Sequence, residues 1–333
     1  MYKVTLSMPI YNVAPYVERA LLSALNQTFE SIEFLLVDDR GTDNSMDIVR
    51  RIIKDHPRGK DVRIIEHPHN IGLGATRNTA IDNAQGEYLF FMDSDDEITP
   101  DCIQVLYDKM MEEKVDFVVG SIIEVSVSGE QIRRIFNDIT SVGRMCLAEY
   151  VYMEKHTFPV MTWNKLYDLS FIKNNDIYCY PKHLNEDMIF NLKVVHCANS
   201  FSIVSIPTIF YYRRVTSITG VKVITDRTAN KYIDILVEYK KIYLSCKSLD
   251  IGLFMKLSML RFSVVYIVLI LNSNRISKEN KRTYYNIIVA VIEDLSCSDL
   301  LFCIARFKSL ASYLYYKLPF RLKYMLRGCF DFF

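Results

Sequence analysis

The first hundred residues alternate between short apolar segments and longer segments with helical spacing of their apolar residues. The apolar segments are predicted as strands, and several of them are apolar on both faces, which is typical of parallel strands covered by helices. The predicted strands cover residues 3–10, 34–37, 62–65 and 88–92, and the predicted helices cover 14–28, 46–53 and 74–84. The sequence therefore predicts an α/β fold with a mostly parallel central sheet flanked by helices.

An acidic run follows the last of these predicted strands. Asp93, Asp95 and Asp96 place three carboxylates within four residues. Such groups repel one another unless a cation holds them, and hard oxygen ligands suit Mg²⁺ or Mn²⁺. A metal held by only one or two protein carboxylates has room for phosphate oxygens. The run thus indicates a metal-assisted enzyme acting on a phosphorylated or nucleotide substrate. A solvated acidic loop is the alternative, and the run alone leaves both open.

A second acidic pair, Asp38 and Asp39, follows the predicted strand at 34–37. The carboxyl ends of parallel strands share one edge of a sheet, and ligands of open α/β sheets bind outside that edge. We therefore expect both acidic groups to converge on one crevice. That convergence favours a ligand site over a solvated loop.

The middle of the chain is less regular, but no linker rich in proline or glycine separates it from the first hundred residues. We therefore predict one domain over residues 1–220. Its later part is predicted to hold strands at 116–127 and 201–214 and helices at 163–174 and 186–198.

Residues 221–333 are predicted to be helical and differ in charge from the rest. They carry 18 Lys and Arg against 9 Asp and Glu, whereas residues 1–220 carry 22 against 30. The apolar run at 262–271 is too short to cross a bilayer, which needs roughly 20 apolar residues, so a buried helix is predicted there. Residues 306–333 interleave basic and aromatic side chains, which favours a helix on an anionic membrane surface. Packing of this tail on the protein is the alternative.

The N-terminus leads directly into the first predicted strand, without the pattern of a signal peptide. The eight cysteines are scattered and form no CxxC pair, which favours free thiols over a disulfide framework. Together with the basic tail, these features predict a cytoplasmic protein that is peripheral on the inner face of the membrane.

Several short motifs occur in a specific order between residues 3 and 220. They include SMPIYN, the turn VDDRGTD, the segment NIGLGATRN, the block GEYLFFMDSDD, and later WNKL and NED. Together they resemble glycosyltransferase family 2, whose members have the GT-A fold. Arg40 departs from the family pattern, which often has a small or different residue before the glycine of the turn. The motifs occupy residues 7–12, 23–28, 37–43, 70–78, 86–96, 163–166, 185–187, 212–213 and 217–219.

The resemblance implies transfer of a sugar from a nucleotide-sugar donor, with UDP the favoured nucleotide. It implies that Asp95 ligates Mn²⁺ or Mg²⁺ and that Asp93 contacts the ribose or assists the metal. It also implies that Asp39 bonds the edge of the base, that Tyr11 stacks near it, and that Pro9 shapes the loop.

Three arginines are further candidates for the donor site. Arg77 is expected to pair with the donor, since a guanidinium suits phosphate oxygens. A salt bridge to an aspartate of the crevice is its alternative role. Arg213 or Arg214 is expected to fasten a loop over the diphosphate, with surface charge as the alternative.

The acceptor hydroxyl needs a base, because it is a poor nucleophile at neutral pH. Asp187 is the residue we choose for this role, with Glu186 as its neighbour and fallback. Complementing the N-terminus of the predicted helix is the alternative for both acids. One base opposite the leaving group implies inversion. Trp163 is predicted to line the acceptor pocket or, equally, to belong to the core.

Other functions remain open from the sequence. A metal-dependent sugar-phosphate phosphatase would leave Asp38 and Asp39 unexplained, and a nucleotidyltransferase is expected to have a glycine-rich basic loop where residues 9–12 stand. A non-catalytic membrane-bound scaffold needs none of the acids. The expected partners are a nucleotide-sugar, a glycan or lipid-linked glycan acceptor of surface polysaccharide synthesis and an anionic membrane, with no nucleic acid.

Overall fold

The computed structural model describes residues 2–152, 161–181, 186–214, 224–245 and 252–291. The chain forms two compact units, Met1–Ser217 and Ile218–Phe333. The basic, aromatic tail at 306–333 lies outside the described residues, as do Asn185 and the motif at 217–219.

One mixed sheet of ten strands forms the centre of the first unit, in the order β3-β2-β1-β4-β9-β6-β10-β5, with β7 beside β6 and β8 beside β10. The strands are β1 (Val4–Ile10), β2 (Ile32–Asp38), β3 (Val62–Glu66), β4 (Tyr88–Phe91), β5 (Glu97–Ile98), β6 (Phe117–Val125), β7 (Gln131–Arg134), β8 (Ile139–Val142), β9 (Lys165–Asp168) and β10 (Ser200–Tyr212).

Helices connect these strands and form the described part of the second unit. Those of the first unit are α1 (Val17–Leu25), α2 (Ser45–Asp55), α3 (Leu73–Asn83), α4 (Cys102–Glu113), α5 (Cys146–Tyr152), α6 (Leu169–Asn174) and α7 (Glu186–Cys197), with a 3₁₀ helix at Pro57–Asp61. Those of the second unit are α8 (Asp226–Ser245), α9 (Gly252–Asn272) and α10 (Lys278–Val291).

The first four strands are parallel, as predicted, and this places the two acidic groups at one edge. In the register of the sheet, Ile10 of β1 is paired with Asp38 of β2, and Ser7 of β1 is paired with Phe91 of β4. The turn after β2 and the acidic run after β4 therefore flank the carboxyl end of β1. Beyond β4 the sheet is no longer parallel throughout, because β9 runs antiparallel to both β4 and β6.

The prediction of a helix at 163–174 is wrong for the first half of that segment. Lys165–Asp168 forms β9, and only Leu169–Asn174 is helical. Leu166 is paired with Phe90 on one side and with Val118 on the other, so β9 is hydrogen-bonded on both edges. A four-residue strand is too short to show the alternation that distinguishes it from a helix. Tertiary pairing therefore decides its conformation.

The core of the first unit follows from the helical spacing seen in the sequence. The stripe on α1 that was predicted to be apolar is almost completely buried. It packs in one cluster with alternate side chains of β1 and β2, which point to the same face of the sheet. The buried residues of the stripe are Val17, Ala20, Leu21, Ala24 and Leu25.

The described part of the second unit is helical, as predicted for this region of the sequence. The apolar run at 262–271 lies within α9, and Val264, Ile267, Ile270 and Leu271 are buried. In the described part of the chain, no helix is both long enough and apolar enough to cross a bilayer. The buried helix predicted here is therefore what the structure shows.

Close packing between β6 and β10 yields a test of the core. A Cβ added at Gly120 would lie 1.9 Å from Thr208 Oγ1, and that hydroxyl donates to Asn164 Oδ1 at 2.6 Å. We expect Gly120→Ala to lower the free energy of unfolding by about 3 kcal/mol, because a well-packed core has no room for an added methyl group. Urea unfolding measures the change.

The matched control repeats the substitution in a Thr208→Ala background. Removing the hydroxyl relieves part of the clash, so Gly120→Ala should lower the free energy of unfolding by less in this background, as expected for residues in contact. Equal losses of free energy in the two backgrounds would contradict the proposed clash.

Candidate active site

The acidic run after β4 forms a compact cluster. The chain leaves β4 with Met92 N donating to Ser7 O at 2.9 Å, and Asp96 N closes a turn onto Asp93 O at 3.3 Å. One carboxylate oxygen from each of Asp93, Asp95 and Asp96 lies within 4.8 Å of the others. A cluster made only of carboxylate oxygens fits Mg²⁺ or Mn²⁺.

The three acids differ in their availability to a ligand. Asp96 is buried, and its Oδ1 accepts from Tyr212 N at 2.9 Å. The side chains of Asp93 and Asp95 are 24% and 38% exposed. Asp93 and Asp95 are therefore the members of the cluster that face a ligand, whereas Asp96 anchors the end of β10.

Burial and mutual repulsion disfavour the negative charge of this cluster. Burial raises the pKa of Asp93 to about 6, with Arg77 opposing the shift and Asp95 adding to it. Burial, reinforced by Asp95 and Asp93, raises the pKa of Asp96 well above its usual value. Both shifts have the direction expected for carboxylates that are buried close to one another.

Arg77 connects the acidic cluster to the start of α7. Its guanidinium is buried, with Nη2 at 2.8 Å from Asp93 Oδ1 and Nη1 at 2.7 Å from Glu186 Oε1 and 2.5 Å from Asp187 Oδ1. Burial opposes its charge, but Asp187, Asp93 and Glu186 raise the pKa of Arg77 well above its usual value. The arrangement is the salt bridge weighed as the alternative for Arg77; direct pairing of Arg77 with a donor stays a prediction.

The sequence around Arg77 explains how α3 reaches α7. A Cβ at Gly74 would lie 2.4 Å from Tyr180 O, so only glycine permits this close approach. Asn78 exchanges two bonds with the backbone of Cys179, donating to its O at 2.9 Å and accepting from its N at 2.8 Å. The glycine, the arginine and the asparagine of one motif thus fasten α3 to the chain leading into α7.

Asp187 and Glu186 occupy the first turn of α7, as predicted. Asp187 Oδ1 also accepts from Thr162 Oγ1 at 3.0 Å. Burial raises the pKa of Glu186 to about 7, against the effect of Arg77. Both acids therefore do more than complement the helix terminus, because Arg77 ties them to a segment more than a hundred residues away in the chain.

Asp39 organises the loop that leads into α3. Its Oδ1 lies 2.8 Å from His67 Nδ1 and accepts from Ile71 N at 2.9 Å. Its Oδ2 accepts from Asn70 Nδ2 at 2.7 Å and from Gly72 N at 2.9 Å. Both oxygens of Asp39 thus hold the loop in this structure, and its contact with a base edge stays a prediction.

A crevice opens between the loop after β1 and the turn after β2. Tyr11, which is 45% exposed, and Asp38 contribute to its lining. A Cβ at Gly41 would lie 2.8 Å from Asn12 N, so the two loops pack backbone to backbone. Pro9, near the end of β1 and two residues before Tyr11, is half-buried. The exposed ring of Tyr11 is therefore placed where a planar group can stack on it.

The two arginines at the end of β10 have different partners. Arg213 pairs with Glu124 and is mostly exposed. Arg214 pairs with the carboxylate of Asp95, and its guanidinium lies 3.7 Å from the ring centroid of Tyr16. Of the two, Arg214 is thus the one that contacts the acidic cluster, whereas the predicted loop-fastening role of Arg213 is untested.

Trp163 lies in the core. It is 5% exposed and stacks on Tyr211, with 5.2 Å between ring centroids and an interplanar angle of 22°. This is the second of the two roles weighed for it, and its contribution to an acceptor pocket stays a prediction.

Lys165 belongs to the motif WNKL, which by itself indicates no role for the lysine. It is completely buried, its Nζ donates to Met161 O, and Asp187 contributes an attractive charge. Burial lowers the pKa of Lys165 to about 7, with Asp187 opposing the shift. Only the pairing of β9 on both sides reveals this burial, so no signal in the sequence marks it.

The shifted pKa of Lys165 predicts a pH-dependent stability. Because the folded pKa of about 7 lies below the ordinary value of 10.5, the unfolded chain binds more protons between these pH values. Stability should therefore rise with pH across that window, by up to about 1.4 kcal/mol per pH unit. Urea unfolding of the wild type and of Lys165→Met at pH 6 and pH 9 measures this. The free energy of unfolding of the wild type, relative to that of Lys165→Met, should be higher at pH 9 than at pH 6. An equal difference at both pH values would contradict the lowered pKa of Lys165.

Fold and site together define an α/β protein of the GT-A type, with acids at the carboxyl edge of its parallel strands. Residues 5–172 match the family model described as glycosyl transferase family 2. This match covers half of the chain, and the chain belongs to glycosyl transferase family 2.

Individual relatives agree with this assignment. The chain is 32% identical over 219 residues to the putative glycosyltransferase EpsH of Bacillus subtilis, covering 63% of this chain and 60% of that protein. It is 30% identical over 215 residues to the poly(ribitol-phosphate) beta-glucosyltransferase of Bacillus spizizenii, covering 63% of this chain and 32% of that protein. The chain thus spans less than two thirds of the length of these relatives.

A solved structure shows the same fold over nearly the whole chain. The crystal structure of S. aureus TarS in complex with UDP-GlcNAc superposes with a TM-score of 0.67 at 21% identity, covering 96% of this chain and 92% of that one. At this identity, the likeness supports the GT-A fold and its helical C-terminal region.

Proposed function

We propose that this protein is an inverting, metal-dependent glycosyltransferase that moves a hexosyl or N-acetylhexosaminyl group from a UDP-sugar to an acceptor hydroxyl. The observation that carries the proposal is the meeting of Asp93, Glu186 and Asp187 on the guanidinium of Arg77. Family membership supports the reaction class, and the UDP-GlcNAc complex of the structurally similar TarS supports the donor class.

Each acidic group has a distinct part in this proposal. Asp93 and Asp95 would hold Mn²⁺ or Mg²⁺, which offsets the negative charge of a departing diphosphate. Tyr11 and Asp39 bind the nucleoside, and Pro9 shapes the loop between them. Asp187 takes the proton of the acceptor hydroxyl as the new bond forms.

Charge compensation around Arg77 supports the role of Asp187. A base must be ionised before it accepts a proton. The guanidinium of Arg77 is buried, and its Nη1 lies 2.5 Å from Asp187 Oδ1. The side chain of Asp187 remains 26% exposed, so an acceptor has access to it.

The acceptor we propose is a glycan, such as a lipid-linked glycan of surface polysaccharide synthesis. The poly(ribitol-phosphate) beta-glucosyltransferase among the relatives supports a cell-surface polymer. Peripheral membrane association rests on the basic and aromatic sequence of residues 306–333 alone.

A donor assay tests the reaction class. The full chain is incubated with a panel of UDP-sugars, with and without Mn²⁺, and slow hydrolysis is followed as release of UDP. Metal-stimulated release of UDP is the expected result. Release of inorganic phosphate would instead indicate a phosphatase, and inactivity with every nucleotide-sugar would favour a non-catalytic scaffold.

A further inference from the structure

The carboxylate of Asp187 is held through only one of its two oxygens. Oδ1 lies 2.5 Å from Arg77 Nη1 and accepts from Thr162 Oγ1 at 3.0 Å. Among the residues that the structure describes, no hydrogen-bond donor reaches Oδ2. A guanidinium and a hydroxyl thus fix Oδ1, whereas Oδ2 is left for a ligand.

Thr162 is itself fixed in position. It is completely buried, and its backbone carbonyl accepts from Tyr167 OH at 3.2 Å. Tyr167 belongs to β9, which is bonded on both sides in the sheet. The hydroxyl of Thr162 therefore projects from a rigid part of the fold, and a rigid donor orients its acceptor with little entropic cost at the time of reaction.

We propose that Thr162 is a positioning residue that, together with Arg77, orients Asp187 so that Oδ2 takes the proton of the acceptor hydroxyl. The inference rests on the proposed function, because it assigns an atom to the base step of that reaction. In this step the acceptor O–H bond breaks, its proton moves to Oδ2, and its electron pair forms the bond to the anomeric carbon as the diphosphate leaves.

Replacing the hydroxyl by a methyl group tests the inference. Thr162→Val keeps the shape of the side chain, and we expect kcat to fall about tenfold, as for loss of a hydrogen bond to a charged group. The KM for the donor should be unchanged, because Thr162 contacts the base and not the donor. Thr162→Ser restores the hydroxyl and should return kcat to near the wild-type value.

Thr5 provides a matched control. It is also a completely buried threonine, and its Oγ1 donates to the carboxylate of Glu33 at 2.7 Å. It lies near the amino end of β1, whereas the acidic cluster follows the carboxyl end of β4. Thr5→Val should reduce stability and leave kcat unchanged. A loss of kcat in Thr162→Val with no recovery in Thr162→Ser, or an equal loss in Thr5→Val, would overturn the positioning role.

A second measurement needs no substrate. Thr162→Val, Asp187→Ala and the double variant form a cycle, because each single variant removes the hydrogen bond between the two side chains. We expect the combined change in the unfolding constant to differ about fivefold from the product of the two single changes. Independent effects would overturn the contact on which the inference depends. Absence of UDP release by the wild type would instead overturn the proposed function, and with it the role of Oδ2, while the coupling would still be measured.

Discussion

Replacing Asp95 by alanine should abolish metal-dependent binding of the nucleotide-sugar. Asp95 is the most exposed of the three clustered acids and lies within 4.8 Å of the other two. Loss of a ligand should weaken Mn²⁺-dependent binding of UDP at least about 100-fold, since even the outer partners of a metal site contribute 10- to 100-fold. Isothermal titration calorimetry with UDP, with and without Mn²⁺, measures the effect.

The comparison without metal separates a metal-binding role of Asp95 from general damage. Asp95→Ala and the wild type should bind UDP equally weakly when Mn²⁺ is absent. Asp108 is an exposed acid on α4 that accepts a hydrogen bond from Gln104, and Asp108→Ala should retain metal-dependent binding. Full Mn²⁺ stimulation in Asp95→Ala would remove Asp95 from the metal site.

Replacing Asp187 by asparagine should retain donor binding and eliminate transfer. The amide keeps an oxygen that accepts from Arg77 Nη1 and Thr162 Oγ1, but it does not act as a base. We expect kcat to fall about 1,000-fold, within the range for loss of a general base. The dissociation constant of UDP with Mn²⁺ should change less than about twofold, because no ligand of the proposed metal site is altered.

Asp168→Asn is the matched control, because it alters an acid at a different helix N-terminus. Asp168 caps α6 by accepting from Ser170 N and Phe171 N, and asparagine caps helices equally well. This variant should retain both stability and transfer. Normal transfer by Asp187→Asn, measured with the acceptor that the wild type uses, would exclude Asp187 as the base.

Local patterns were sufficient to predict the first half of the fold. The strands and helices up to β4 follow from apolar periodicity, and their parallel pairing follows from their alternation. Prediction was wrong at 163–168, where a short strand lies in a motif with no visible alternation. The antiparallel insertion of β9 between β4 and β6 depends on contacts between distant segments, which no local window contains.

For the candidate site residues, the positions in the fold were predicted better than the side chains that they contact. The positions of Asp93, Asp95 and Asp187 after a strand and at a helix start were correct. That Arg77 joins Asp93 to Asp187 was weighed only as one of two roles, because pattern and motif do not say which acids a buried arginine meets. Thr162 and Lys165 were missed altogether, since a threonine and a lysine carry no signal of their burial.

By itself, the sequence determined the class of fold, the family, and which acids gather at the carboxyl edge of the parallel strands, because these features depend on periodicity and on motifs close together in the chain. Only the tertiary structure decided how the acids are held. The guanidinium of Arg77 meets carboxylates 16 and 110 residues away, and such contacts arise when α3, α7 and the end of β4 pack together. Burial then sets the pKa values there, because a carboxylate or an ammonium loses its hydration only once the surrounding elements are in place.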